Sequence, residues 1–176
     1  AITQYLGFPN YGDEYKVMGL APYGENKYEN ELSKLIKLKD DGKFELNLTF
    51  FNHSSEWRQQ QWSEGSPKLD PQFSPNLINL LGRSRAIDEP IEKIHMDIAK
   101  STQIIYENTF FHILNNLYNK YKNKNIALAG GCAANSVANG KITVKTNFKR
   151  VYIQAAPGDA GGAIGAALVV WNKIEG

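Results

Sequence analysis

Apolar positions along the chain change spacing several times, and each change predicts a new element. Between Phe8 and Gly24 the sequence is rich in Gly, Pro and Tyr, which predicts structured loop around one short helix at Glu14–Leu20. Leu32, Leu35, Ile36 and Leu38 predict a second short helix over Asn30–Leu38. Asp40-Asp41-Gly42 is a turn signal, and the alternation after it predicts a strand over Lys43–Phe51 with Phe44, Leu46 and Leu48 on one face. Asn52–Arg85 is polar and Pro-containing, with aromatics at Trp57, Trp62 and Phe73. It predicts a loop-rich insertion with a short helix at Pro75–Leu81. Loops of that length in a domain are commonly functional or partner-facing.

A long apolar stripe follows. Asp88-Glu89-Pro90 starts a helix in the usual way, with acids ahead of it and Pro in its first turn. Ile91, Ile94, Ile98 and Ile105, then Phe110, Ile113, Leu114, Leu117 and Tyr121, carry it to about Lys122, with a break expected near Ser101-Thr102. Ile126–Ala129 then reads as a short strand running into Gly130-Gly131, with a small-residue helix at about Ala133–Gly140. Arg150–Gln154 is a second strand, Pro157–Gly162 its turn, and Ile164, Ala167, Leu168 and Trp171 one face of a last helix. Strand, helix, strand and helix joined by Gly-rich turns predict an α/β layered fold with parallel pairing, here as a single domain over 1–176.

Composition narrows the function classes. The chain has 176 residues, 42% hydrophobic, 22% charged and 11% aromatic, which fits an ordinary globular domain. A net charge of +2 gives no reason to expect nucleic acid or an anionic membrane as partner. The Lys clusters at Lys34–Lys39 and Lys120–Lys124 read as solvated helix faces. No apolar run reaches transmembrane length. One cysteine, Cys132, excludes an internal disulfide and suits a reducing cytoplasm, where this reading places the protein. There is no initiator Met, and Ala1–Leu6 reads as a helix already under way, so the chain is expected to be a segment of a longer protein.

Both Gly-rich turns open at the carboxyl ends of their strands, where α/β sheets bind ligands. Without Cβ atoms the backbone can approach a phosphate or ribose, and the N–H groups of the next helix face the anion. The first turn, Ala129-Gly130-Gly131-Cys132-Ala133-Ala134-Asn135, is not a Walker loop, since Gly140-Lys141 is followed by Ile142. Neither turn has the G-x-G-x-x-G pattern. Tight strand–helix packing explains Gly130-Gly131 as well as a ligand does. Asp159 lies between glycines at a strand end and before a helix, where it suits a hard metal ion or serves as a helix cap; both readings stay open. Cys132 reads as a small buried side chain. Trp57 and Trp62 read as pins of their loop or as a stacking surface. His53, His95 and His112 read as loop or helix-surface residues.

Three segments together resemble the NodU-type carbamoyltransferases. They are Gly12-Asp13-Glu14-Tyr15-Lys16-Val17-Met18-Gly19-Leu20-Ala21-Pro22-Tyr23-Gly24, then Leu128–Asn135 with Asn139-Gly140-Lys141, and Pro157–Ala167. They stand in the family's order and cover most of the chain. The resemblance implies a partial actin-like (ASKHA, ribonuclease H-like) domain with Gly-rich strand–helix turns. It also implies ATP-dependent O-carbamoyl transfer: carbamoyl phosphate and ATP give a carbamoyl adenylate, whose carbamoyl group passes to a hydroxyl of a small acceptor. By position, Asp159 would be a metal ligand and catalytic residue, with iron the expected metal and magnesium the alternative. Gly130, Gly131 and Asn135 would line the nucleotide pocket, and Gly158, Gly161 and Gly162 the second phosphate turn. Glu14 and Lys16 would be the polar groups of the Gly12–Gly24 segment, bordering the acceptor or nucleotide cleft.

The chain departs from the family in lacking its histidine metal-binding motif and its adenylate-forming second domain, so the segment is expected to be inactive without the remainder of its own chain. Two rival readings stand beside it, the first of which shares the Gly-rich turns. One is another actin-like enzyme, a sugar kinase or a tRNA threonylcarbamoyltransferase. The other is a nucleotide- or partner-binding module without turnover.

Overall fold

The computed structural model describes residues 1–53, 61–63 and 66–176. The chain divides into two compact units, Ala1–His112 and Ile113–Gly176.

In the first unit, α1 (Ile2–Tyr5), α2 (Glu14–Leu20) and α3 (Glu29–Leu32) surround buried Tyr5, Leu6, Val17, Ala21 and Leu32. Helix α2 has its expected bounds. The stretch expected to be helical to Leu38 instead becomes a 3-10 turn at Ser33–Leu35 and then strand β1, Ile36–Leu38. Its antiparallel partner β2 is Phe44–Leu46, with Leu38 opposite Phe44 and Ile36 opposite Leu46. Gly42 takes φ +82° in the turn between them. Left-handed backbone there closes the hairpin and draws Ile36–Leu38 out of helix, whose apolar spacing fits either element. The expected strand over Lys43–Phe51 stops at Leu46, because Asn47 caps a 3-10 turn at Leu48–Phe50 by accepting from the Thr49 N–H.

The 52–85 insertion contains a second antiparallel pair, β3 (Gln61–Ser63) with β4 (Ser66–Lys68). The role read for Trp57 lies outside the described residues, and Trp62 is described for its backbone alone. Helix α4 spans Pro75–Leu81 as expected, with Ser74 as N-cap and Pro at its start. Its Leu77 and Leu81 join Tyr5, Leu6, Ile98 and Ala99 in the core.

Helix α5 runs unbroken from Lys93 to Tyr121, and its residues through His112 belong to the first unit. The break expected at Ser101-Thr102 does not occur, since both hydroxyls donate back to the carbonyls of Asp97 and Ile98, one turn earlier.

The second unit holds the α/β element pattern read from the sequence. Strands β5 (Asn125–Leu128) and β6 (Arg150–Ile153) pair in parallel, Asn125 opposite Arg150 through Leu128 opposite Ile153. Between them lie a 3-10 turn at Gly131–Ala134, α6 (Ser136–Asn139) and α7 (Ile142–Lys145), where one helix at Ala133–Gly140 was expected. Asn135 divides that helix by capping α6 from outside the helical backbone region. Ile126, Ala138, Ile142 and Phe148 are buried, and the edge of the Phe148 ring packs on Tyr118. Helix α8 is Gly161–Glu175. Its apolar positions, expected to pack, are exposed throughout. Among the described residues no helix is long and apolar enough to cross a membrane.

Candidate functional site

Parallel pairing brings both Gly-rich turns to one edge of the β5–β6 pair. The Gly130 N–H donates to the Pro157 carbonyl at 2.6 Å, tying the turns together by backbone alone. Gly130 takes φ +98°, a conformation strained for any residue with a Cβ. The 3-10 turn after it closes with Ala133 N–H on the Gly130 carbonyl, and Ala133 is buried beneath it. Asn139 donates from Nδ2 to the Ala133 carbonyl at 2.7 Å, bracing the same turn from α6. Asn135 accepts the Ala138 N–H at 3.0 Å. Its side chain is thus engaged as a helix cap at the rim of the site.

The second turn closes with Gly161 N–H on the Gly158 carbonyl at 3.0 Å, and Gln154 accepts from the Ala156 N–H. A Cβ at Gly131, Gly158 or Gly162 would meet nothing within 4 Å. Close packing therefore does not require glycine at those three positions. What the glycines leave is open space beside exposed backbone, which an anion could use.

Asp159 is exposed on that second turn. Among the described residues no group of three or more His, Cys, Asp and Glu side chains could hold a metal ion. A single carboxylate does not by itself make a metal site. The Asn139 Oδ1 and the Glu31 Oε2 are buried with no hydrogen-bond partner among the described residues. Cys132, expected to be buried, is exposed, because it lies on the outward side of its turn with Gly131 and Ala134 while Ala133 takes the inward one.

In the first unit, Lys16 pairs with Asp13 at 2.8 Å. Asp13 is buried and also accepts the Asn10 N–H, so it anchors both the turn and the lysine. The hydrogen bond that the Lys16 ammonium donates to Asp13 holds it above the usual lysine range. The same ammonium lies 5.7 Å from the Phe8 ring centre and 5.9 Å from that of Tyr15. Glu14 occupies the first turn of α2, where a carboxylate favours the helix dipole.

The end of the Gly12–Gly24 segment is fixed by a group the sequence reading passed over. Asp97 is 3% exposed, accepts the Glu25 N–H at 2.7 Å, and pairs with Lys93 at 3.0 Å and Lys27 at 3.5 Å. Burial alone would raise its pKa, but the Glu25 N–H and the Lys93 ammonium together hold it below the usual carboxylate range. Ser101, one turn further on, accepts the Tyr28 N–H. The i, i+4 spacing of Lys93 and Asp97 was the visible signal; the long-range contact to Glu25 was not.

A family model described as carbamoyltransferase N-terminus matches residues 1–168. The chain belongs to that family. An uncharacterized protein of Synechocystis sp., sll1178, is 42% identical over 98% of this chain. Nodulation protein NolNO of Sinorhizobium fredii and nodulation protein NolO of Bradyrhizobium diazoefficiens are each 31% identical over 97% of it. The chain spans only about a quarter of the length of these relatives: 26%, 22% and 27%. All three segments that carry the resemblance lie within the part matched by the carbamoyltransferase N-terminus model.

Proposed function

We propose that this chain is part of the actin-like domain of a cytoplasmic, ATP-dependent O-carbamoyltransferase and carries the turns that hold its nucleotide. The observation that supports this most directly is the Gly130–Pro157 hydrogen bond, which sets two Gly-rich turns side by side at the carboxyl ends of parallel strands. Membership of the carbamoyltransferase family supports reading the site's chemistry as carbamoyl transfer.

In this reading water cleaves carbamoyl phosphate to carbamate and phosphate, and a carbamate oxygen then attacks the α-phosphorus of ATP, giving carbamoyl adenylate and releasing pyrophosphate. A hydroxyl of a small acceptor then attacks the carbamoyl carbon, and AMP leaves. Gly130 and Gly131 on one turn and Gly158, Gly161 and Gly162 on the other would bracket the adenylate phosphate, leaving backbone N–H groups to face it. Asn135, at the rim, would contact the nucleoside. Such a mixed anhydride hydrolyses readily, so holding it against a water-excluding wall is part of the task. Asp159 would contribute one carboxylate ligand to a divalent metal whose remaining ligands come from the rest of the whole protein; bound there, such a metal would supply Lewis-acid chemistry. Lys16, held by Asp13, and Glu14 would be the polar groups that the Gly12–Gly24 segment offers to a substrate.

The test is carbamoyl-phosphate-dependent exchange of labelled pyrophosphate into ATP by the whole protein. Exchange that requires carbamoyl phosphate is expected. ADP in place of AMP as product would replace this reading with a kinase, and absence of any nucleotide turnover would replace it with a binding module.

A further inference from the structure

Three hydrogen bonds in series tie α6 to both Gly-rich turns. The Pro157 carbonyl accepts the Gly130 N–H at 2.6 Å, the Gly130 carbonyl accepts the Ala133 N–H at 2.9 Å, and the Ala133 carbonyl accepts Nδ2 of Asn139 at 2.7 Å. The first two links are backbone to backbone, and the last is a side chain. A trans peptide is planar, so holding the Ala133 carbonyl also fixes the direction of the Ala134 N–H on the other side of the same plane. The backbone N–H of Asn139 donates to the Asn135 carbonyl at 3.0 Å. One residue of α6 therefore grips both the 3-10 turn and the residue that follows it.

As a mere piece of helix, Asn139 is a costly choice. Asparagine is among the weaker helix formers. The Ala133 carbonyl sets the orientation of its amide, since the flipped amide would place oxygen against oxygen. That orientation leaves Oδ1 buried with no hydrogen-bond partner among the described residues, a cost an apolar side chain would avoid. Ala133 and Ala138, 4% and 0% exposed, already fill the interior beneath the turn. What Asn139 adds to that packing is the donor to the Ala133 carbonyl.

We propose that Asn139 is a positioning residue for carbamoyl transfer. Acting through the Ala133 carbonyl, it keeps the 130–134 turn closed on the carbamoyl adenylate and keeps water off the carbamoyl carbon. This inference rests on the adenylate reading above. Where the turn slackens, water takes the acceptor's place. Its oxygen bonds to the carbamoyl carbon, the bond from that carbon to the phosphate oxygen breaks, and AMP leaves with carbamate, which decomposes to ammonia and carbon dioxide.

The test uses the whole protein with ATP labelled at its α-phosphate, carbamoyl phosphate and no acceptor. AMP release is measured against carbamoyl-phosphate-dependent pyrophosphate exchange by the same preparation. Asn139→Asp keeps the shape of the side chain and, when ionised, turns the donor into an oxygen facing the Ala133 carbonyl. At pH 8 it is expected to release at least about tenfold more AMP per exchange event than wild type at the same pH. At pH 6 that excess is expected to shrink, because burial beside a carbonyl favours the protonated carboxyl, which donates as the amide did. Asn139→Ala removes the donor without adding charge, is expected to leak at both pH values, and serves if the Asn139→Asp protein does not fold. AMP release per exchange event equal to wild type in these variants would overturn the proposal. So would exchange and AMP release falling together, since Asn139 would then act only in folding. A wild type that shows no such exchange would instead remove the adenylate reading, and this proposal with it, before any variant is compared.

Discussion

Gly24, at the end of the Gly12–Gly24 segment, packs directly on the backbone of α5. A Cβ built there would lie 1.9 Å from the Met96 carbonyl oxygen and 2.8 Å from the Asp97 nitrogen. Both neighbours are backbone of a long helix, so neither can move aside cheaply. Gly24→Ala should therefore cost about 3 kcal/mol, near the upper end for overpacking a filled site, read as a lower urea midpoint with unchanged slope. A loss under about 0.5 kcal/mol would mean that the contact yields. Asp97, beside it, makes a separate prediction. Its carboxyl is held below the ordinary value of 3.8, so the folded state keeps the charge while the unfolded chain takes up a proton. Its contribution is complete well above that value, declines as the pH falls through it, and is gone below the folded pKa. The stability gap between wild type and Asp97→Asn should thus be present at neutral pH and close on acidification below about 4. A gap of the same size at pH 7 and pH 3 would place the effect in packing instead of charge.

At the scale of elements, helix starts were the most legible feature. Ser74-Pro75 announces α4, and Ser74 does cap it, accepting the Asn76 N–H at 3.2 Å while donating to the Thr49 carbonyl at 2.6 Å. Ser74→Ala should cost about 1–2 kcal/mol, the usual range for a lost N-cap, measured by thermal or urea unfolding. Rescue by Ser74→Thr would separate the hydroxyl from the space it fills. The β1 hairpin was less legible, because Leu32, Leu35 and Ile36 satisfy helical spacing while Ile36 and Leu38 satisfy a strand. Only the pairing with Phe44 and Leu46 chooses between them, and pairing is not written in local periodicity. The parallel β5–β6 pair and its two turns could be read from the sequence, since glycine and proline punctuate them. The hydrogen bond joining those turns could not, nor could the hold of Asp97 on Glu25. Each is a contact between segments distant in sequence, and no spacing rule reaches that far. Helix α8 shows the opposite difficulty: its apolar face was legible, but among the described residues nothing buries it.

Across the whole molecule, charge is divided unevenly between the units. Residues 113–176 carry eight Lys and Arg against two acids, Asp159 and Glu175, a net of +6. Residues 1–112 carry twelve against sixteen, a net of −4. The basic unit is the one with the Gly-rich turns, a favourable field for a polyphosphate before any contact forms. Within it Asp159 stands out as an exposed acid on the turn itself, where a negative charge would repel the nucleotide unless something between them carries positive charge. That conflict is what a carboxylate kept for a bound cation, rather than for a helix cap, would look like. Asp159→Asn preserves shape and leaves the Gly130–Pro157 and Gly161–Gly158 backbone hydrogen bonds untouched. If Asp159 serves the transfer step through a cation, the substitution should lower carbamoyl transfer to the acceptor by about a hundredfold or more while pyrophosphate exchange continues at the wild-type rate. Loss of both in parallel would assign the turn to adenylate formation. Tighter ATP binding with undiminished transfer would show that the carboxylate acts only by repulsion, and the metal role would fall.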